Sequence, residues 1–156
     1  WLHRYGHQKL DRRGFNMKVL HRSKGITFIR FDIGEEFPKT LADWCEREKV
    51  GSAAVIAGIG MLRDMEIGRY DGQTYRKEAI TPPSEILSLQ GNVSMKEGAS
   101  FVHLHVSLAD EDLNARGGHL FQGTVAMTIE LAMLELGSDF VRVPEGGDFW
   151  KLDTGS

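Results

Sequence analysis

The stretch Ala99-Ser100-Phe101-Val102-His103-Leu104-His105-Val106-Ser107-Leu108-Ala109-Asp110, followed after a short polar link by Arg116-Gly117-Gly118-His119-Leu120, holds three of the six histidines. From Phe101 to Leu108 it alternates: Val102, Leu104, Val106 and Leu108 share one face, and Phe101, His103, His105 and Ser107 the other. A strand has a side-chain period of two, so this pattern reads as a β-strand with one apolar face. His103 and His105 then point the same way, two residue rises apart, close enough to share one metal ion. The Gly117-Gly118 pair can turn the chain so that His119 joins them. Three imidazoles with an open fourth position are a usual catalytic zinc arrangement. The same residues also suit a solvated strand face, or hydrogen bonds at a subunit contact.

Working outward, Lys18–Arg22 and Ile26–Ile33 read as two strands joined by a polar link ending in Gly25. Phe37 to Lys49 reads as the main helix. Phe37, Leu41, Trp44 and Cys45 form its apolar stripe, Pro38 suits its first turn, and Glu35 and Glu36 lie where the helix dipole favours negative charge. Ser52–Gly60 reads as a buried strand. Gly58 and Gly60 lack the lysine and full glycine pattern of a phosphate loop, so close packing or a bulge is the better reading. Leu62–Tyr70 and Thr74–Ile80 read as a hairpin about Asp71-Gly72, and Thr81-Pro82-Pro83 ends it. Glu85–Val93 is the next strand, and Glu97-Gly98 turns into the histidine strand. Thr124–Leu136 has helix-forming composition but strict alternation, and is assigned as a long strand. Val141–Val143 is a short strand, and residues 145–156 form a surface tail pinned by Phe149 and Trp150.

The expected fold is therefore α+β: about seven strands in a largely antiparallel sheet with one main helix, in one compact domain. Residues 17–144 form that domain. Residues 1–16 read as a flexible extension or tag remnant, with no apolar centre to make them a signal peptide.

The chain has 156 residues, 26% of them charged, and a formal net charge of −3. The first sixteen residues carry +3, which leaves −6 on the rest. Such a body has no broad electrostatic pull toward nucleic acid. One cysteine, Cys45, cannot form an internal disulfide, and no stretch approaches a membrane span, so a cytoplasmic location is expected.

Zinc is the expected metal, with iron, nickel and copper also suited to imidazole. A bound histidine usually donates its second ring N–H to a carboxylate or carbonyl, and Asp110, Glu66 and Glu130 are candidates for that role. A metal-bound water could support hydrolysis or hydration, and the open position could equally take a small anion. Glu85 and Glu130 could act as acid–base groups, although salt bridges or subunit contacts suit them better. Cys45 lies on the helix stripe and reads as core rather than nucleophile. Arg63, Arg69, Arg76 and Lys77, with Tyr70 and Tyr75, surround the Asp71-Gly72 hairpin. They could contact phosphates, or form a solvated face paired with Asp64, Glu66 and Glu78.

Glu85-Ile86-Leu87-Ser88-Leu89-Gln90-Gly91-Asn92, His103-Leu104-His105-Val106-Ser107-Leu108-Ala109-Asp110, Gly117-Gly118-His119-Leu120 and Gly123-Thr124-Val125, with Ala57-Gly58-Ile59-Gly60, together resemble the PPC (PCC) domain, the plant and prokaryote conserved domain. The likeness runs over roughly Met17 to Pro144 in one order. It implies an α+β protomer with an antiparallel sheet, assembled as a homotrimer. It also implies a metal on His103, His105 and His119. In plants the domain follows AT-hook motifs and those proteins bind AT-rich DNA, while single-domain prokaryotic members are called DNA-binding by analogy. No Arg-Gly-Arg-Pro hook core occurs here, and Asp11-Arg12-Arg13-Gly14-Phe15 is only a loose echo. The resemblance thus implies a DNA-binding or regulatory homotrimer with a zinc site. The alternative is a metal-dependent enzyme or small-ligand-binding protein built on the three histidines.

Overall fold

A computed structural model describes residues 16–155. The extension read over residues 1–16, including the hook-like echo, lies outside the described residues except for Asn16. The element order is β1 (Lys18–Ser23), β2 (Ile26–Asp32), β3 (Glu36–Phe37), α1 (Lys39–Arg47), β4 (Ala53–Tyr70), β5 (Tyr75–Ile80), β6 (Ser84–Lys96), β7 (Ala99–Ala109), β8 (Ala115–Glu135), β9 (Phe140–Gly146) and β10 (Phe149–Thr154).

The architecture is mostly β, with ten strands in one sheet and one short helix among the described residues. This corrects the expected seven-stranded α+β sheet. All pairings are antiparallel except one parallel bridge between β6 and β9, at Met95 and Val141. Strand β4 lies between β8 and β6, while β7 pairs with both β6 and β8. These four pairings close a ring, β4–β6–β7–β8. Its interior is filled by apolar side chains, among them Leu62, Leu89, Leu104, Leu120, Ile129 and Leu131, all fully buried.

The expected boundaries shift for identifiable reasons. Ser52–Gly60 and Leu62–Tyr70 are one strand, β4, bent by register shifts at 55–57, 60–62 and 63–67. Gly60 sits at one of them with φ +144°, and a Cβ there would overlap the carbonyl oxygen of Thr128. The glycines that resembled a phosphate loop thus serve close strand packing. Helix α1 starts at Lys39, because Glu36 and Phe37 pair with Thr124 and Gly123 of β8. Glu35 does not cap the helix. Its carboxylate accepts the backbone N–H groups of Asp32 and Met17, at 2.7 and 2.9 Å. The helix buries Leu41, Trp44 and Cys45 as its stripe requires, and packs on β7.

The turns at Lys24-Gly25 and Glu97-Gly98 each have positive φ at both central residues, the twist that suits a two-residue hairpin. Of the tail read over residues 145–156, Glu145 and Gly146 end β9, and Phe149–Thr154 form β10, the second strand of a β9–β10 hairpin. No helix of the described residues is long and apolar enough to cross a membrane.

Replacing Gly60 by Ala is expected to lower unfolding stability by about 2–4 kcal/mol, combining overpacking with left-handed strain. Urea denaturation measures this. An unchanged midpoint would show that β4 can shift away from Thr128 at no cost.

Candidate metal centre

The alternation of β7 is realised. Val102, Leu104, Val106 and Leu108 are buried, and Phe101, His103, His105 and Ser107 face outward. His119 arrives by a different route from the expected one. The chain turns at residues 110–114, where Asp110 Oδ1 accepts the backbone N–H groups of Asp112 and Asn114, at 3.0 and 2.9 Å. Gly117 and Gly118 do not turn; they lie within β8. They pair with Ser107 and Val106, and this register sets His119 directly opposite His105. Side chains opposite one another on adjacent strands lie on the same face, so the three imidazoles meet. Two glycines allow the close approach. A Cβ at Gly91 would overlap the carbonyl of His103, and one at Gly118 would stand 2.6 Å from the carbonyl oxygen of Gly68.

The ring centroids are 5.2 Å apart for His103–His105, 4.9 Å for His103–His119 and 5.6 Å for His105–His119. One ligand atom of each lies within 4.8 Å of the others. His119 is buried, His103 half-buried and His105 exposed. Burial pushes His103 down to about 4, with the charges of His119, Arg142 and His105 acting in the same direction. Burial also pushes His119 down to about 4, helped by His105, Arg142 and Lys77. Both rings are therefore neutral near pH 7, the form that ligates metal.

The donor set fits a divalent transition metal: three imidazoles, with no carboxylate in the cluster among the described residues. His119 Nδ1 is buried without a hydrogen-bond partner among the described residues. A buried ring nitrogen left unpaired is costly, and an ion is one of the few things that would satisfy it. His103 Nδ1 stands 3.0 Å from Arg142 Nη2. Arginine only donates, so this nitrogen accepts; ligation through Nδ1 would replace that contact, and ligation through Nε2 would put the ring proton on Nδ1 and break it.

None of the three carboxylates expected behind the histidines reaches them. Asp110 is taken up by its own turn, Glu66 accepts Lys77 Nζ at 2.9 Å, and Glu130 is exposed on β8 opposite Arg30. The expected acid–base candidate Glu85 is exposed at the start of β6, paired with Ala109. Cys45 is buried, and burial pushes its thiol up to about 12, so it is core and not a nucleophile.

The cations expected near the hairpin mostly have acidic neighbours. Arg63 pairs with Asp64, Arg76 with Asp71 and Lys77 with Glu66, while Arg69 is exposed opposite Arg76. Such surface pairs contribute about 0–1 kcal/mol each, and they leave no unbroken basic edge. Arg142 was not singled out by the sequence. Its only signal is a lone charge between Val141 and Val143 in a short apolar strand.

Residues 21–137 match the model of the Plants and Prokaryotes Conserved (PCC) domain. The chain belongs to this family. A plant- and prokaryote-conserved (PPC) protein from Pyrococcus horikoshii is similar to it at 31% identity and TM-score 0.73, over 86% of this chain and 94% of that one. A metal-containing protein from Archaeoglobus fulgidus is similar at 31% identity and TM-score 0.74, over 86% and 98%. A protein from Bacteroides thetaiotaomicron, provisionally named as DNA-binding, has TM-score 0.81 over 88% and 97%, but at 18% identity that likeness shows the fold alone. No curated protein matches the chain significantly. Within this PCC domain the three histidines lie on the ring's outer face, beside the β9–β10 hairpin.

The lowered histidine values carry a stability consequence. In the metal-free fold His103 and His119 take up protons only near pH 4, and in the unfolded chain near 6.5. Between those values the unfolded state binds more protons. The contribution is therefore complete above about pH 6.5 and is lost as pH falls toward 4. The urea midpoint of metal-free protein is expected to drop from pH 7 to pH 5, and to drop less in a His103→Gln/His119→Gln variant. Equal drops would contradict burial of neutral rings.

Proposed function

We propose that this PCC-domain protein binds a divalent transition metal, zinc first, through His103, His105 and His119, and presents it to a small ligand. The observation that carries this reading is the convergence of three imidazoles, one of them with a buried, unpartnered ring nitrogen. The similar metal-containing protein from Archaeoglobus fulgidus supports it. Zinc held by three protein ligands keeps a fourth position for exchange, and would act there as a Lewis acid. No acidic side chain touches the histidines among the described residues, so a binding role is better supported than proton-transfer catalysis.

The same proposal includes a homotrimer and a cytoplasmic location. Association is supported by Ile56, Ile59 and Leu87, large apolar side chains on β4 and β6 that are each more than half exposed. Cys45, the single cysteine, needs no oxidising compartment. DNA binding has weaker support. It rests on provisional names of proteins 18% and 19% identical to this chain, while the body is acidic and its hairpin cations are largely paired.

Protein loaded with zinc and dialysed is expected to retain about one ion per chain by elemental analysis, and His119→Ala to retain less than about a tenth of that. Equal retention by the variant would place the metal elsewhere. Light scattering of the eluting protein is expected to give three times the chain mass, and Ile59→Asp to shift it to the monomer. A wild-type monomer would refute the trimer.

A further inference from the structure

Beside the histidines lies a cavity of about 400 Å³, floored by His103 and His119 and closed on one side by the β9–β10 hairpin. Its walls are aromatic: Phe101, Phe121, Tyr75 and Trp150. Three cations converge on it. Lys96 Nζ stands 4.1 Å from the Trp150 ring and 5.3 Å from Phe101, and is in no ion pair among the described residues. Lys77 Nζ lies 4.1 Å from Phe121 and pairs with Glu66. Arg142 is only 9% exposed. All the partners of its guanidinium among the described residues are neutral: Ser94 Oγ at 3.2 Å, the Trp150 carbonyl at 3.2 Å, Asn92 Oδ1 at 2.6 Å and His103 Nδ1 at 3.0 Å. The one carboxylate in the lining, Asp148, accepts the hydroxyl of Thr74 at 2.7 Å.

A buried guanidinium without a counter-charge is costly, and an anion entering the cavity would offset that cost. Nε and both Nη2 protons of Arg142 are engaged, and Nη1 holds one, so a single N–H remains for a ligand. One N–H plus the free Lys96 ammonium suits one compact acidic group rather than a polyphosphate. The aromatic walls, with cations already stacked on them, suit a flat unsaturated body. The volume is that of a small-molecule site.

We propose that this cavity binds a small planar carboxylate, its acid group held by Arg142 and Lys96 and its flat body between Phe101, Phe121 and Trp150. The idea deepens the small-ligand reading of the histidine site, because the floor of the cavity is formed by two of the expected metal ligands. The anion anchor itself uses side chains outside the ligand set.

The test is calorimetric titration of benzoate, benzamide and cyclohexanecarboxylate into metal-free and zinc-loaded protein. Benzoate is expected to bind at one per chain, benzamide at least tenfold more weakly, and cyclohexanecarboxylate more weakly than benzoate. Lys96→Met, a change at the cavity wall, is expected to weaken benzoate at least tenfold while zinc retention stays unchanged. Trp150→Ala is expected to remove the preference for the planar acid. Benzamide binding as well as benzoate, or benzoate failing to bind either form, would overturn the carboxylate site. If benzoate fails while zinc binds in full, the metal reading survives alone. If benzoate binds a protein that retains no zinc, the carboxylate site stands and the metal reading falls.

Discussion

Strand β7 is hydrogen-bonded on both edges, by β6 along its whole length and by the first part of β8. That double pairing closes the ring of β4, β6, β7 and β8 and gives Leu104–Ala109 of β7 a partner on both edges. It also fixes register, and register in a pleated sheet fixes which face each side chain takes. With Leu104 opposite Leu120 inside, His105 must lie opposite His119 outside. A one-residue slip would drive imidazoles into the core and leucines into water. The histidine cluster is thus held by the same burial that holds the barrel-like core, and needs no dedicated scaffold.

Close backbone approach is the second requirement. Gly91 and Gly118 sit where neighbouring carbonyls occupy the space of a side chain, next to His103 and His119 respectively. Above this surface the β5 and β9–β10 hairpins supply Tyr75, Lys77, Arg142 and Trp150. The result is a polar floor, aromatic walls and an excess of positive charge in a molecule whose body is negative overall. Local charge here opposes net charge, which is the arrangement that concentrates a small anion and not a long polyanion.

Much of this was legible in the chain. The period-two pattern of Phe101–Leu108 gave the strand, its buried face and the pairing of His103 with His105. Lys24-Gly25 and Glu97-Gly98 gave their turns, because the glycine of each pair accepts positive φ cheaply. The stripe Leu41, Trp44, Cys45 gave the helix face. The strand count fell short where local signals were weak. Glu36–Phe37 is too short to show a period, and residues 149–154 are held by pairing with β9 rather than by their own apolar pattern. Asp110, Glu66 and Glu130 were plausible by composition, yet each is committed or turned elsewhere by its own strand or loop.

The sequence by itself determined the chemistry available: two imidazoles at strand spacing and a third after a glycine pair, one cysteine on the helix stripe, no AT-hook core and a slightly acidic whole. These follow from side-chain identity and from periodicity within a single element. Only the tertiary structure decided that His119 faces His105, that Arg142 lies beside His103, and that Lys96 and Trp150 close over the same cavity. Arg142 lies 39 residues from His103 along the chain. Contacts over such separations are set by strand register and by hairpins folding across one another, which leave no local period to be read in advance.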